Sequence, residues 1–234
     1  MNQRHLFFDL DRTLWDFEKN SEIALHHLFQ ELNLIDHIPR FTVFHSLYKK
    51  KNAELWKLYG AGKIKKEELR TLRFSATLEV FGLRDQQIID HLSDGYVELS
   101  PKQTALFPEA LETLKLLQEQ GYPMHIITNG FKEVQYIKLE NSGLAPFFDI
   151  VVCSEDVGKN KPAPDIFHHA LEKAGAKATN SIMIGDDYAV DIIGAYNAGM
   201  QGILFDPEDK CIIRSGDHKI QHLNEIPGKL AWID

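Results

Sequence analysis

Leu6-Phe7-Phe8-Asp9-Leu10-Asp11-Arg12-Thr13, residues 6–13, decides the fold. A short apolar run that meets Asp9 at once reads as a buried strand with a loop of polar residues at its carboxyl end. The same pattern returns from about residue 101 onward. Met124–Ile127 runs into Thr128-Asn129-Gly130, Ile150–Cys153 leads toward Lys161, Ser181–Ile184 runs into Gly185-Asp186-Asp187, and Gly202–Phe205 follows. Amphipathic stripes lie between these runs, such as Ala110, Leu111, Leu114 and Leu117, or Ile166, Phe167, Ala170, Leu171 and Ala174. Buried strands alternating with amphipathic helices specify an α/β fold, a doubly wound parallel sheet with helices on both faces. Ile220–Leu223 is a candidate edge strand.

Residues 20–100 break that alternation. Four apolar stripes at helical spacing fill them: Ala24, Leu25, Leu28, Phe29 and Leu32 after an N-cap at Asn20; Phe44, Leu47, Tyr48, Leu55, Leu58 and Tyr59; Leu69, Leu72, Ala76 and Val80; and Ile88, Ile89, Leu92, Tyr96 and Leu99. The expected architecture is a core of residues 1–16 and 101–234 with a helical bundle, 17–100, inserted as a cap. Two chain crossings at one place would form a hinge. At 234 residues and about 150 per domain, one and a half domains is the arithmetic result.

Composition narrows the partners. Thirty-four acids against 26 Lys and Arg give a net charge of −8, which leaves no global basic footprint for a nucleic-acid polymer. No apolar run approaches the length of a membrane span, and the run at the N-terminus is too short for a signal peptide. Cys153 and Cys211 form neither a metal spacing nor a disulfide framework. A cytoplasmic protein acting on small molecules is the expectation.

Ligands of open parallel sheets bind at the carboxyl ends of the strands. Asp9, Asp11, Thr13, Thr128, Asn129, Lys161, Asp186, Asp187 and Asp191 all fall there. Clustered carboxylates repel one another and call for a cation, and oxygen ligands suit Mg²⁺. A carboxylate can attack phosphorus, a lysine offers a point charge, and a hydroxyl with loop N–H groups can grip phosphoryl oxygens. The set fits phosphoryl transfer. Taken singly, each piece has a bland explanation: Asp186-Asp187 could simply cap the following helix.

In this order the motifs resemble those of the haloacid dehalogenase (HAD) superfamily of phosphohydrolases with a C1-type cap. Asp-x-Asp-x-Thr is met by Asp9, Asp11 and Thr13, the threonine of the second motif by Thr128, the lysine by Lys161, and the last motif by Gly185-Asp186-Asp187 with Asp191. Arg12 departs from the glycine often found there. The resemblance implies that Asp9 is the nucleophile and forms an aspartyl-phosphate. Asp11 is then the general acid and base, an acid that dehalogenases proper lack. Mg²⁺ is held by Asp9, the backbone carbonyl of Asp11 and Asp186. Thr128 and the Asn129 N–H hold phosphoryl oxygens and Lys161 neutralises charge. Thr13, Asp187 and Asp191 lie around the metal, either of the last two being available as a direct ligand.

Between Ile127 and Phe167 the sequence further resembles the bacterial pyrimidine 5′-nucleotidase branch, in Ile127-Thr128-Asn129-Gly130-Phe131, Gly143-Leu144, Phe147-Phe148-Asp149 and Lys161-Pro162. That implies a nucleoside 5′-monophosphate substrate. Phe17, Trp56, Tyr59, Arg73 and Phe74 are then candidates to line a nucleobase pocket, since flat bases stack on aromatic rings. Phosphoglycolate and sugar-phosphate phosphatases and phosphomutases of the same superfamily are alternatives. A phospho-acceptor signalling module is the alternative from another class.

Overall fold

The computed structural model describes residues 4–231; positions 1–3 and 232–234 of the sequence-assigned core lie outside them. The chain divides into two compact units, 1–17 with 104–234 and 18–103. The limits drawn from the sequence were 16/17 and 100/101.

Strand β1 (His5–Phe8) comes first. The helical unit follows, with α1 (Phe17–Glu31), α2 (Phe41–Gly60), α3 (Lys66–Leu78) and α4 (Gln86–Leu99). Its interior is apolar and aromatic. Leu25, Leu28, Phe44, Tyr48, Phe74, Leu78, Leu92 and Tyr96 are all buried together. Two sequence readings need correction. Asn20 is not an N-cap: α1 starts at Phe17 and buries Asn20 within its length. The third stripe holds at Leu69, which is fully buried, but Leu72 and Val80 are exposed whereas Phe74 and Leu78 are enclosed. A stripe read by spacing alone fits two adjacent helix faces, and in α3 tertiary packing selects the one carrying Phe74.

The core unit continues with α5 (Ala110–Glu119), β2 (Met124–Thr128), α6 (Lys132–Asn141), β3 (Ile150–Cys153), α7 (Ser154–Val157), α8 (Pro164–Ala174), β4 (Ser181–Gly185), α9 (Ile193–Asn197), β5 (Gln201–Phe205), β6 (His218–Ile220) and α10 (Ile226–Leu230). The six strands form one sheet in the order β3-β2-β1-β4-β5-β6, every pair parallel. The edge strand thus occupies 218–220 instead of 220–223, because Leu223 already belongs to a short 3₁₀ turn.

β1 lies between β2 and β4, so both of its faces are covered. Leu6 and Phe8 pack on one side with Leu114, Ile126, Ile184 and Ile226. Phe7 packs on the other with Ile127, Phe167, Met183 and Ala195. Full burial of each such side chain contributes about 1.5–3 kcal/mol. The strand order turns around β1, so the crevice at its carboxyl end is the place where such sheets bind ligands. Just beyond, residues 14–16 pair with 105–107: Phe107 N–H donates to Leu14 O and Asp16 N–H to Ala105 O, at 2.9 and 3.0 Å. Among the described residues, no helix is long and apolar enough to cross a membrane.

Candidate active site

Asp9 follows β1 directly and is tied to the sheet by its N–H, which donates to Ile184 O at 2.8 Å. The Lys161 ammonium lies beside it, almost wholly buried. Nζ donates to Asp9 Oδ1 at 2.6 Å and to Ile127 O at 2.7 Å, and it stands 2.7 Å from Asp191 Oδ1. An ammonium carries three donors; two are hydrogen-bonded here, and the Asp191 carboxylate adds an ion pair. Burial alone would lower the pKa of Lys161, but the charges of Asp191 and Asp9 outweigh it and push the pKa well above the usual lysine range.

The backbone of Lys161 is fixed from β2. The Asn129 side chain donates from Nδ2 to Lys161 O at 3.1 Å and accepts at Oδ1 from Lys161 N at 2.7 Å. This amide clamp leaves the Asn129 side chain engaged, so only its backbone N–H is available for a ligand.

Asp186, Asp9 and Asp191 each present a carboxylate oxygen within 4.8 Å of the others. Glycine makes this approach feasible. A Cβ at Gly185 would lie 2.3 Å from Asp191 Oδ2, a clash that no rotamer change of a buried carboxylate relieves cheaply. Asp191 sits in a π-helical turn, Tyr188–Ile192, a local widening that often marks functional positions. Its Oδ2 also accepts from Asp187 N at 3.0 Å. Burial, and then the charges of Asp9 and Asp191, raise the pKa of Asp186, with Arg12 and Lys161 opposing. For Asp9, burial raises it, Lys161 lowers it and Asp191 raises it again, with the net result above the usual carboxylate range. Two buried acids, Asp9 and Asp191, and the half-buried Asp186 around one lysine thus leave negative charge that a cation would neutralise. All the donors are oxygens, which suits a hard divalent ion such as Mg²⁺.

Asp187 does something different. Its exposed carboxylate accepts from Ala189 N and Val190 N at 2.9 and 3.0 Å, capping the turn that carries Asp191. Thr13 Oγ1 donates to Asp186 Oδ1 at 3.5 Å, the long end of hydrogen bonding. Arg12 takes a left-handed φ of 69°, the conformation that glycine adopts freely. Its guanidinium lies 4.2 Å from the centroid of the Phe17 ring.

Asp11 is held by two side chains that the sequence motifs did not single out. Lys138 Nζ meets its Oδ1 at 2.5 Å, and Gln135 Nε2 donates to its Oδ2 at 2.8 Å. Gln135 Nε2 also donates to Thr128 Oγ1 at 2.9 Å, and Gly130 N–H donates to the same oxygen at 3.1 Å. With both lone pairs of Thr128 Oγ1 occupied, its single O–H is left to donate. A Cβ at Gly130 would lie 1.6 Å from Gln135 Nε2, so Gly130 is what lets the amide enter.

Of the candidate pocket residues, Phe74 is fully enclosed, its ring 5.2 Å from Tyr48 and 5.8 Å from Tyr96. Arg73 is buried with its guanidinium over the Tyr96 ring at 4.5 Å. Both belong to the interior of the helical unit, and neither presents a free face for a base to stack on. Trp56 and Tyr59 pack edge to face at 5.6 Å. Phe17 carries Arg12. Neither cysteine competes as a nucleophile: both are free thiols, and burial pushes that of Cys153 up to about 12.

Residues 6–205 match the family described as haloacid dehalogenase-like hydrolase. The HAD-hydrolase YfnB of Bacillus subtilis is 33% identical over 88% of this chain and 86% of its own. Its magnesium-bound crystal structure, for which interdomain movement is described, superposes with a TM-score of 0.87 over 99% of this chain and all of the other, at 32% identity. A ribulose-1,5-bisphosphate 5-phosphatase of Halopiger xanaduensis is 32% identical over 94% of this chain and 96% of its own. The pyrimidine 5′-nucleotidase PynA of Streptococcus pneumoniae is 32% identical over 88% and 85%. The chain belongs to the haloacid dehalogenase-like hydrolases.

Proposed function

We propose that this hydrolase is a Mg²⁺-dependent phosphomonoesterase acting through an aspartyl-phosphate, with nucleoside 5′-monophosphates as its substrates. The observation that carries the reading is the pairing of Asp9 with Lys161. One oxygen of a buried carboxylate is held by an ammonium, its partner Oδ2 has no such bond among the described residues, and a second carboxylate, Asp11, stands two residues away.

Asp9 Oδ2 attacks phosphorus in line. The phosphorus–ester oxygen bond breaks, its electrons stay on the oxygen, and Asp11 supplies the proton. Lys161 and the Thr128 hydroxyl, with the Asn129 N–H, take the charge on the phosphoryl oxygens. Water then attacks phosphorus as Asp11 takes its proton, releasing phosphate and restoring the Asp9 carboxylate. Asp9, Asp186 and the Asp11 carbonyl would hold Mg²⁺, with Asp191 close enough to join them. When bound, the ion supplies Lewis-acid stabilisation of phosphoryl charge. A phosphoryl group covalently held on Asp9 keeps water as the second acceptor, which is why hydrolysis and not simple labelling is the expected outcome.

The nucleotide assignment is supported by the likeness to PynA. A sugar phosphate is the second reading, favoured by the equal likeness to the bisphosphate phosphatase over nearly the whole chain. A phosphate-release screen with Mg²⁺ over pyrimidine and purine monophosphates, sugar phosphates and phosphoglycolate separates them. Uridine or thymidine monophosphate should give the highest kcat/KM, and a sugar phosphate ranking first overturns the nucleotide assignment alone. In the same screen Asp9→Asn should release no phosphate from any substrate. Turnover near that of the unaltered protein would remove Asp9 as nucleophile.

A further inference from the structure

We propose that Lys138 is a positioning residue for proton donation by Asp11. The inference rests on the phosphatase reading above and deepens it.

Lys138 occupies a costly place. Its side chain is only 5% exposed, and Asp11, exposed to 20%, is its sole ion-pair partner among the described residues. A buried ammonium requires compensation. Here it comes from the carboxylate and from the ring of Trp15, whose centroid lies 4.2 Å from Nζ, with Phe17 at 5.8 Å. Gln135 takes the other carboxylate oxygen, one helical turn earlier on α6. The residues that α6 buries are Gln135, Lys138 and Leu139, while Tyr136 and Ile137 are exposed. A helix that buries a lysine and a glutamine and leaves an isoleucine outside is not arranged for packing alone.

The chemistry follows from the geometry. Each carboxylate oxygen has two lone pairs, so a donor on each still leaves room for a transferable proton. When Asp11 gives that proton to the ester oxygen, negative charge develops on a carboxylate already facing an ammonium. No group has to move to receive it. Lys138 and Gln135 also fix the rotamer from which the proton leaves. Lys138 touches neither the substrate nor Asp9 in this scheme; it acts through Asp11.

The test exploits leaving groups. An alkoxide, as from uridine monophosphate, needs the proton from Asp11. The p-nitrophenolate ion leaves without one. Because kcat/KM reports steps only through the first bond cleavage, the later role of Asp11 as base does not enter. Lys138→Met should lower kcat/KM for uridine monophosphate about 10²-fold, the usual scale of a general-acid contribution, and that for p-nitrophenyl phosphate by no more than about 3-fold. Lys138→Arg should recover most of the difference. In an Asp11→Asn background, where Lys138 has no carboxylate left to position, Lys138→Met removes the ammonium that Asp11→Asn leaves unpaired and should change neither substrate's kcat/KM further. Equal losses on both substrates, no loss on either, or an added loss in the Asp11→Asn background each overturn the proposal. An unaltered protein that hydrolyses neither substrate overturns the phosphatase reading itself, and this inference with it.

Discussion

The core unit brings buried Asp9, Asp191, Lys161 and Lys138 together with half-buried Asp11 and Asp186 at one edge of its sheet. The helical unit distributes its buried polar groups instead. Ser21 accepts from the Tyr96 hydroxyl at 2.9 Å, Thr77 bonds back along its own helix, and Arg73 rests on aromatic rings. In the core, the clustered carboxylates outnumber the two ammoniums, which leaves negative charge for a cation to neutralise. In the helical unit, aromatic packing dominates and the polar groups fit around it. The two units should therefore answer differently to substitution.

The largest effect is expected at Lys161. Lys161→Met leaves the buried Asp9 and Asp191 carboxylates without their cation, which should cost about 3–5 kcal/mol of stability. It should also abolish phosphate release from the fraction that remains folded. Denaturant unfolding and turnover, measured on the same preparation, check both parts. Retained turnover would mean that this ion pairing serves stability only.

Phe74→Ala should cost a similar or smaller amount, about 3–4 kcal/mol, by opening a cavity among Tyr48, Tyr96 and Leu78. Its kinetic signature should be the opposite one, with KM for uridine monophosphate staying within about 3-fold. A KM raised tenfold at unchanged melting temperature would put Phe74 back in a base-binding pocket and erase the contrast between the units.

Asp187→Ala should lose only the cap on the π-helical turn, about 1 kcal/mol. A full loss of activity with no change in stability would instead give Asp187 a direct place in the chemistry.

A pH-dependent effect lies at the opposite end of the same sheet. His125 stacks on His5, with Nε2 3.0 Å from His5 Nδ1. Burial first, and the charge of His5 second, lower its pKa to about 4. The unfolded chain titrates near the ordinary histidine value of about 6.5 and so binds a proton that the folded chain excludes. The stability due to neutral His125 is complete above about pH 6.5 and is lost as pH falls toward 4. Melting temperatures at pH 7.5 and 5 should fall less for His125→Asn than for the unaltered protein. An equal fall would remove His125 from the acid response.

The difference between the units also explains what the sequence could reveal. Asp9, Asp11, Thr128, Asp186 and Asp191 each end or follow an apolar strand or lie in the turn after it, and Lys161 lies in the loop between α7 and α8, so backbone topology brings them to one edge. Asn129 was legible as a loop residue but not as the clamp on Lys161, because that contact joins positions 32 residues apart. Gln135 and Lys138 were missed because no motif includes them, and lysine and glutamine on a helix are ordinarily solvent-facing. The one signal available was a glycine, Gly130, five residues before Gln135, and its meaning depends on a side chain returning from the next turn. In the helical unit, the spacing of apolar residues gave four helices but not which face of α3 was enclosed. Phe74 and Arg73 were read toward a pocket although both pack inside.

The central claim is that a covalent phosphoryl group forms on Asp9. Acid quenching during turnover of uridine monophosphate, followed by borohydride reduction, converts an aspartyl-phosphate to homoserine. Peptide mass spectrometry should then find homoserine at position 9 and nowhere else. Reduction at Asp11 or Asp186, or no reduced residue while phosphate is being released, would contradict the account.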